Sequence, residues 1–452
     1  MRREKKQEEN AVFTTMPVRQ AYAKLALPVI LGMVMSLVYN LTDTWFIART
    51  GSTELVAGVS LCAPMFTLMV AFGDVFGLGG ATIISRRLGE GRGEEAEHLS
   101  AFSVLAGLVF GIAVAAVLLL FQNPILALLG AREDTLPYAK AYYQILAAGS
   151  PAVILSIIPN NLLRTEGLAN EAMISTVAGA LINIGLDPLF IFALHMGAAG
   201  AALATVLSNL IAVLVSLWAM KARARHLSFA PKKASIRGRD FAGILAIGIP
   251  ASLTNIFQSY ASLLTNRMLL PYGTDQVAAY GIAMKVNMVC TLIMVGSAFG
   301  AQPLLGYSYG AGDRKRLSAL IRFDILAELV ISAVFVAVSF VAAPLLIGAF
   351  MKDEAIIAAG TRILRAAMIS QPAAGVILVC TTLFQAQGRA LPALVLSVAR
   401  QGLVFTLCIV LLARAAGLPG VLYAQALSDV LTLVLALLFL RPAGREKTAE
   451  TR

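Results

Sequence analysis

The sequence predicts an all-α membrane protein of about twelve transmembrane helices, arranged as two six-helix bundles related by a pseudo-twofold. Three observations carry this expectation. Of its 452 residues, 58% are hydrophobic and only 13% charged, about half the charged share of a typical soluble domain. Long apolar runs recur, each with room for the roughly 20 residues that cross a bilayer. One long polar stretch, 221–240, splits those runs six and six.

In chain order the runs fall near 20–48, 54–84, 99–121, 136–160, 170–194 and 197–220, then 241–270, 276–301, 318–349, 356–386, 391–413 and 417–440. They are continuously apolar rather than alternating, which specifies helices and not a barrel. The mean hydropathy is +0.80. Cys62, Cys290, Cys380 and Cys408 all lie inside apolar runs, without disulfide or metal spacing. The polar opening before a long first helix is expected to belong to a retained anchor, not a cleaved signal.

A net charge of +11 raises the question of nucleic acid, but the charges do not gather on one folded face. They cluster at Arg2, Arg3, Lys5 and Lys6, at Arg86, Arg87 and Arg92, across Lys221 to Arg239, at Arg314 to Arg316, and at Arg441, Arg445 and Lys447. These are alternate connections. The positive-inside bias therefore places tails 1–18 and 441–452, and the linker 221–240, in the cytoplasm of a multi-pass inner-membrane protein. The opposite connections hold scattered charges such as Arg49, Arg132 and Lys352.

The halves 19–220 and 241–440 match weakly but in order at an offset of about 220. "TGSTELVAGVSL" at 50–61 parallels "YGTDQVAAYGIA" at 272–283, and "RRLGEGRGEEAEHL" at 86–99 parallels "YSYGAGDRKRLSAL" at 307–320. "LLRTEGLAN" at 162–170 parallels "LFQAQGRAL" at 383–391, and "AGAALATVLSNL" parallels "LPGVLYAQALSD" at 418–429. An even number of helices per copy means that both enter the membrane the same way up. Two lobes with a cleft between them, the plan of many secondary transporters, follow from that parity.

The copies differ in where they place oxygen. Asp43 pairs with Thr265, Asn183 with Val404, Asp187 with Cys408 and Thr205 with Gln425. An intramembrane Asp costs about 2.5–3.5 kcal/mol on insertion scales, so it is read as functional or paired. Asp187 and Thr205 each stand nine residues from Met196, in the turn between the fifth and sixth runs. At 1.5 Å per residue that is roughly 13 Å deep, and Asp43, before Gly51, reaches roughly 12 Å. Asn183 is one turn below Asp187 on the same face. Two carboxylates, an amide oxygen and a hydroxyl suit a hard monovalent cation or a proton. Pro188, which cannot donate a ladder bond, is expected to kink the helix there. An alternative is that Asp187 caps a helix beginning at Pro188.

Other positions are expected to line a substrate path: Met33, Met35, Tyr39 and Phe257 as apolar or aromatic cover, and Asp74, Lys285 and Arg400 as polar contacts. Asp74 is placed toward the cytoplasmic end of the second helix. Lys285, Arg400 and Asp429 also fit structural ion pairs, and Glu166 a helix-end or interface charge.

These residues, with "LALPVILG", "FGLGGATIISRRLGEG" at 76–91, "LGAREDTL" at 129–136, "NIGLDPLFIF" and "GAALATVLSNL", resemble the multidrug and toxic compound extrusion (MATE) family over essentially the whole chain, and within it the MepA-like bacterial branch. The resemblance implies two six-helix bundles and export of bulky, often cationic drugs by Na⁺ or H⁺ antiport. It also implies a Na⁺ site that maps onto Asp43, Asn183, Asp187 and Thr205. Some close relatives carry Asn where this chain has Asp43.

The leading reading is therefore a cation-coupled drug antiporter, expected to act as a monomer, with no cofactor beyond the coupling Na⁺ or H⁺. The alternative is a flippase for lipid-linked oligosaccharides, for which two more helices and a basic cavity are expected. A channel or receptor fits the repeat and its one asymmetric ion site less well. A phosphate loop G-x-x-x-x-G-K-[ST] is absent, which disfavours an ATP-driven pump. His98, His195 and His226 lie in or near connections and form no ligand cluster, which disfavours an enzyme.

Overall fold

In the computed structural model, residues 11–440 are described, and they contain no strand. The tail residues Arg2, Arg3, Lys5, Lys6, Arg441, Arg445 and Lys447, and the cytoplasmic placement expected for them, lie outside the described residues. The first half holds α1 (Val18–Ala48), α2 (Thr53–Leu61), α3 (Ala63–Gly89), α4 (Gly93–Leu120), α5 (Gln122–Leu128), α6 (Leu136–Ala148), α7 (Ser150–Arg164), α8 (Ala169–Pro188) and α9 (Gly197–Arg223). The second holds α10 (Gly238–Leu269), α11 (Thr274–Gly310), α12 (Arg314–Gly348), α13 (Glu354–Ile369), α14 (Gln371–Ala386), α15 (Ala390–Gln401), α16 (Leu403–Ala416) and α17 (Leu418–Leu440).

Among the described residues, ten spans are long and apolar enough to cross a membrane, and two bent pairs raise this to twelve. The bends fall between α6 and α7, at 50°, and between α13 and α14, at 41°. Each follows from a proline just inside the second helix, Pro151 and Pro372, because proline has no N–H to give the preceding turn. The two prolines stand at matching places in the sequence repeat. Large apolar side chains such as Leu214, Trp218, Leu263, Val341 and Leu345 cover the outer surfaces. In lipid that surface is satisfied, because tails are as apolar as leucine.

The chain forms two compact units, and they are not simply its two halves. One unit contains the described residues up to Ser252 together with Phe299–Leu320; the other contains Leu253–Ala298 and the described residues from Ile321 onward. Within the first unit, α3 meets the start of α10 and the end of α11 backbone to backbone. A Cβ at Gly79 would strike the Ile244 carbonyl, and one at Gly248 the Val75 carbonyl. Gly89 faces the Tyr307 carbonyl and Gly310 faces that of Arg86 in the same way. Small residues permit this approach where there is no hydrophobic drive between helices. Gln302 Nε2 donates to Thr82 Oγ1 at 3.2 Å across the same contact. Arg316 adds a clamp, donating to the carbonyls of Met16 and Val12 at 2.9 and 2.8 Å.

The basic stretch 221–240 is helical at both ends, and its irregular middle is strapped to the first unit. The Ser100 hydroxyl accepts from Ser228 N–H at 2.8 Å, and Arg87 pairs with Asp240 at 3.1 Å. Lys233 pairs with Glu97, and His98 Nδ1 meets the Lys233 carbonyl at 2.7 Å. Glu166 accepts from the backbone N–H of both Arg225 and His226, a firmer role than a helix-end charge. Burial pushes the Glu166 carboxyl above its usual range, against those two amides and the nearby basic side chains, which pull it down. A raised acid stabilises the fold most below its unfolded pKa and loses that contribution as pH rises through the folded value. Glu166→Ala is expected to cost about 1–3 kcal/mol by orphaning two amides. Glu166→Gln, which keeps an acceptor, should cost less and flatten the decline with pH. Thermal unfolding across a pH series checks both; equal losses in the two variants would contradict this account of the strap.

Candidate functional site

The α8 segment carries the central residues. Asn183 and Asp187 lie four apart, on one face, and are 1% and 0% exposed. The helix runs unbroken from Ala169 to Pro188, so Asp187 is not an N-cap. Pro188 instead marks a change of winding: a π-turn follows at Leu189–Ala193, with Leu194 N–H donating to the Leu189 carbonyl at 2.9 Å. Single π-turns inside α-helices recur where function needs a local departure from regular geometry. The chain then reverses at His195, which takes the left-handed conformation (φ 53°). Gly200 packs against the Phe190 backbone and Gly179 against the Ser208 carbonyl, drawing α8 and α9 together.

Around this hairpin the first unit assembles its polar groups. Asn183 Nδ2 donates to Asp187 Oδ1 over a long 3.5 Å. Asp43, half-buried on α1, brings its carboxyl within hydrogen-bonding reach of the Asp187 carboxyl. Asp43 Oδ1, Asp187 Oδ2 and Asn183 Oδ1 are all buried without a hydrogen-bond partner. Orphaned buried acceptors are costly, and two facing carboxylates repel unless positive charge lies between them. The three oxygens therefore stand together in the first unit as buried acceptors that no protein donor satisfies.

Thr205 is buried on α9, and its hydroxyl is engaged by the Tyr142 phenol of α6. Tyr142 also lies in the field of Asp43 and Tyr39, so it ties the threonine to the acidic pair. Tyr39, one turn before Asp43, feels both carboxylates. Tyr142 was not singled out from sequence; its signal was a tyrosine pair, "AYYQIL", in an otherwise apolar run. Among the described residues, no group of three or more His, Cys, Asp or Glu side chains is placed to hold a metal ion.

The other expected contacts divide between the units. Met33 and Met35 are half-buried on α1. Asp74 lies near the middle of its span rather than toward its end, because α3 extends to Gly89 and not merely to 84; it is within electrostatic reach of Arg164. Phe257, Lys285 and Arg400 belong to the second unit. Phe257 packs against Gly402, and Lys285 is exposed. Arg400 Nε donates to fully buried Asp429 at 3.1 Å, with Gln425 Nε2 on the same oxygen at 2.8 Å. Where the first half has Thr205, the second thus has a glutamine committed to an internal ion pair. The contrast drawn from paired positions missed one feature: α12 carries Asp324 and Glu328, both 0% exposed. They stand at the same four-residue spacing as Asn183 and Asp187, and that spacing was the signal available.

Two repeats of membrane-spanning helices, each with buried carboxyl groups, define a polytopic membrane protein. The comparisons give that class its family. The model of the MatE family matches residues 28–189 and again 250–410, and the chain belongs to that family. It is 32% identical over 384 residues to the multidrug export protein MepA of Staphylococcus haemolyticus (strain JCSC1435), covering 85% of each chain. MepA of Staphylococcus aureus (strain NCTC 8325 / PS 47) matches at the same identity and coverage. A crystal structure of MATE in complex with MaL6 shares the fold at a TM-score of 0.89 and 24% identity, over 95% of this chain and 96% of that one.

Proposed function

We propose that this chain is a multidrug exporter that couples outward movement of hydrophobic, mostly cationic compounds to inward movement of Na⁺ or H⁺. The observation that carries this reading is the set of three orphaned oxygens on Asp43, Asp187 and Asn183. The similarity to MepA proteins supports the export of drugs. The coupling ion is held by Asp43, Asn183 and Asp187, with Thr205 and Tyr142 at its margin. An exchanger requires ion and drug to stabilise different states or to compete for the same groups. The π-turn after Pro188 gives α8 a place to rewind when the Asp187 carboxyl gains or loses its ion. Met33, Met35 and Tyr39 supply polarizable and aromatic contacts for a cationic, apolar cargo. The protein acts as a monomer in the cell membrane, its basic connections and both termini on the cytoplasmic side.

The test is ethidium or tetraphenylphosphonium flux in proteoliposomes under separate Na⁺ and pH gradients. Efflux driven by one of these ions is expected. Thr205→Ala should slow it only a few-fold, the scale of one neutral hydrogen-bonding group at about 1 kcal/mol. Transfer of a lipid-linked sugar, with no response to either cationic dye, would favour the flippase instead.

A further inference from the structure

We propose that Glu328, together with Asp324, forms a second ion site, in the C-terminal unit, whose ligand is an exchangeable proton. The inference rests on geometry. Glu328 is 0% exposed on α12, and neither of its carboxyl oxygens accepts a well-formed hydrogen bond. The Ser297 hydroxyl of α11 lies beside it, and the charged side chain that bears on it is the like-charged Asp324, one turn away. From the neighbouring helices, Cys290 of α11 faces Glu328 and Cys380 of α14 faces Asp324. None of the groups named beside Glu328 brings positive charge. An intramembrane carboxyl with no cation beside it is expensive, and it is a functional group by default.

The surroundings also select the ligand. Gly375 of α14 leaves the space in front of the carboxyl: a Cβ there would lie 3.0 Å from Glu328 Cβ, 3.2 Å from Oε2 and 2.9 Å from Met294 Cε. A hard metal cation seeks about six oxygen ligands, whereas this site offers two carboxyls and one hydroxyl among thiols and a thioether. A proton needs only one oxygen. Binding forms one O–H bond on Glu328 with a proton taken from water, and release returns it. The repeat supplies an internal control. At the spacing that pairs 86–99 with 307–320, Glu328 corresponds to Gly107, which packs against Ile158. The first unit fills this place with hydrocarbon; the second holds an acid facing a glycine.

This proposal rests on the coupled-export reading only for what the proton drives, and the two can fail separately. Infrared difference spectra of the full chain in lipid nanodiscs, after an acid-to-alkaline jump in H₂O and D₂O, read the proton directly. The carbonyl band of a buried protonated carboxyl should bleach on alkalinisation in the wild type and in the Asp43→Asn, Asp187→Asn double variant. In that double-variant background, where the first unit contributes no such carboxyl pair, it should be lost on adding Glu328→Gln and shifted on adding Gly375→Ala, whose methyl crowds Oε2 and which serves should the glutamine variant misfold. A band unchanged by both Glu328→Gln and Gly375→Ala, or one that ignores the pH jump, overturns the assignment. Wild-type vesicles that show the band but no ion-driven ethidium efflux would overturn the coupled-export reading and leave the proton site standing.

Discussion

Asp187→Asn is expected to abolish ion-driven efflux while the protein still folds and inserts. The substitution keeps the side chain's size but removes the charge on which the proposed cation site depends, beside three orphaned oxygens. With Asp187 neutral, Asn183 faces an amide, and Asp43 loses the carboxyl across from it. Asp43→Asn should act alike from the α1 side. The loss should be on the order of a hundredfold in efflux rate, since about 1.4 kcal/mol is tenfold and a charged hydrogen-bonding group is worth up to about 3 kcal/mol. Dye efflux from proteoliposomes, with size-exclusion profiles to establish folding, makes the measurement. Wild-type rates from both variants would remove the acidic pair from the mechanism.

Gly310→Leu should damage the fold itself. Even the Cβ of alanine at this position would meet the Arg86 carbonyl, and the reciprocal Gly89 already abuts the Tyr307 carbonyl. Neither obstacle is a flexible side chain, so relief requires α3 and α11 to separate along several turns. Overpacking of this kind costs about 1–3 kcal/mol and occasionally more. The expected result is a clearly lowered melting temperature in detergent, with loss of transport. Gly281→Ala is the matched control, because a Cβ there meets nothing within 4 Å. Similar melting temperatures for the two variants would mean that α3 and α11 do not need this close approach.

The helical class and nearly every span were legible because hydropathy is a local signal read over about 20 residues. Asp43, Asn183, Asp187 and Thr205 were legible because carboxylates and amides stand out against an apolar background, and because counting residues from a turn gives depth. Tyr142 was not, because a tyrosine in a membrane helix is ordinary until its partner, Thr205, is known. Asp324 and Glu328 escaped for a different reason. Comparison of the repeats asks where the first copy keeps polarity and the second loses it, and so passes over polarity that only the second has gained. The π-turn was also hidden: Pro188 announces a disturbed helix, but whether it kinks, breaks or rewinds depends on packing with other helices, and here the turn lies where Phe190 meets Gly200 of α9. The reach of the first unit into 299–320 could not be read from halves that match in order. It depends on glycines that touch across helices far apart in the chain.

The strap along 221–240 bears on where the molecule stores its give. A connection between two repeats is usually pictured as slack, and slack lets two bodies move independently. Here the loop is fastened to the first unit by Glu166, Ser100, Glu97 and Arg87, so it has no length to pay out. The chain passes from one unit to the other at 252–253, 298–299 and 320–321, and each of these lies inside a helix, α10, α11 or α12. At these points the chain stays helical and offers no irregular hinge segment. In α10 the crossing comes just after Pro250, which leaves the ladder one hydrogen bond short at that level. A change in loop length is absorbed on one unit, whereas a change in the stiffness of α10 is felt by both.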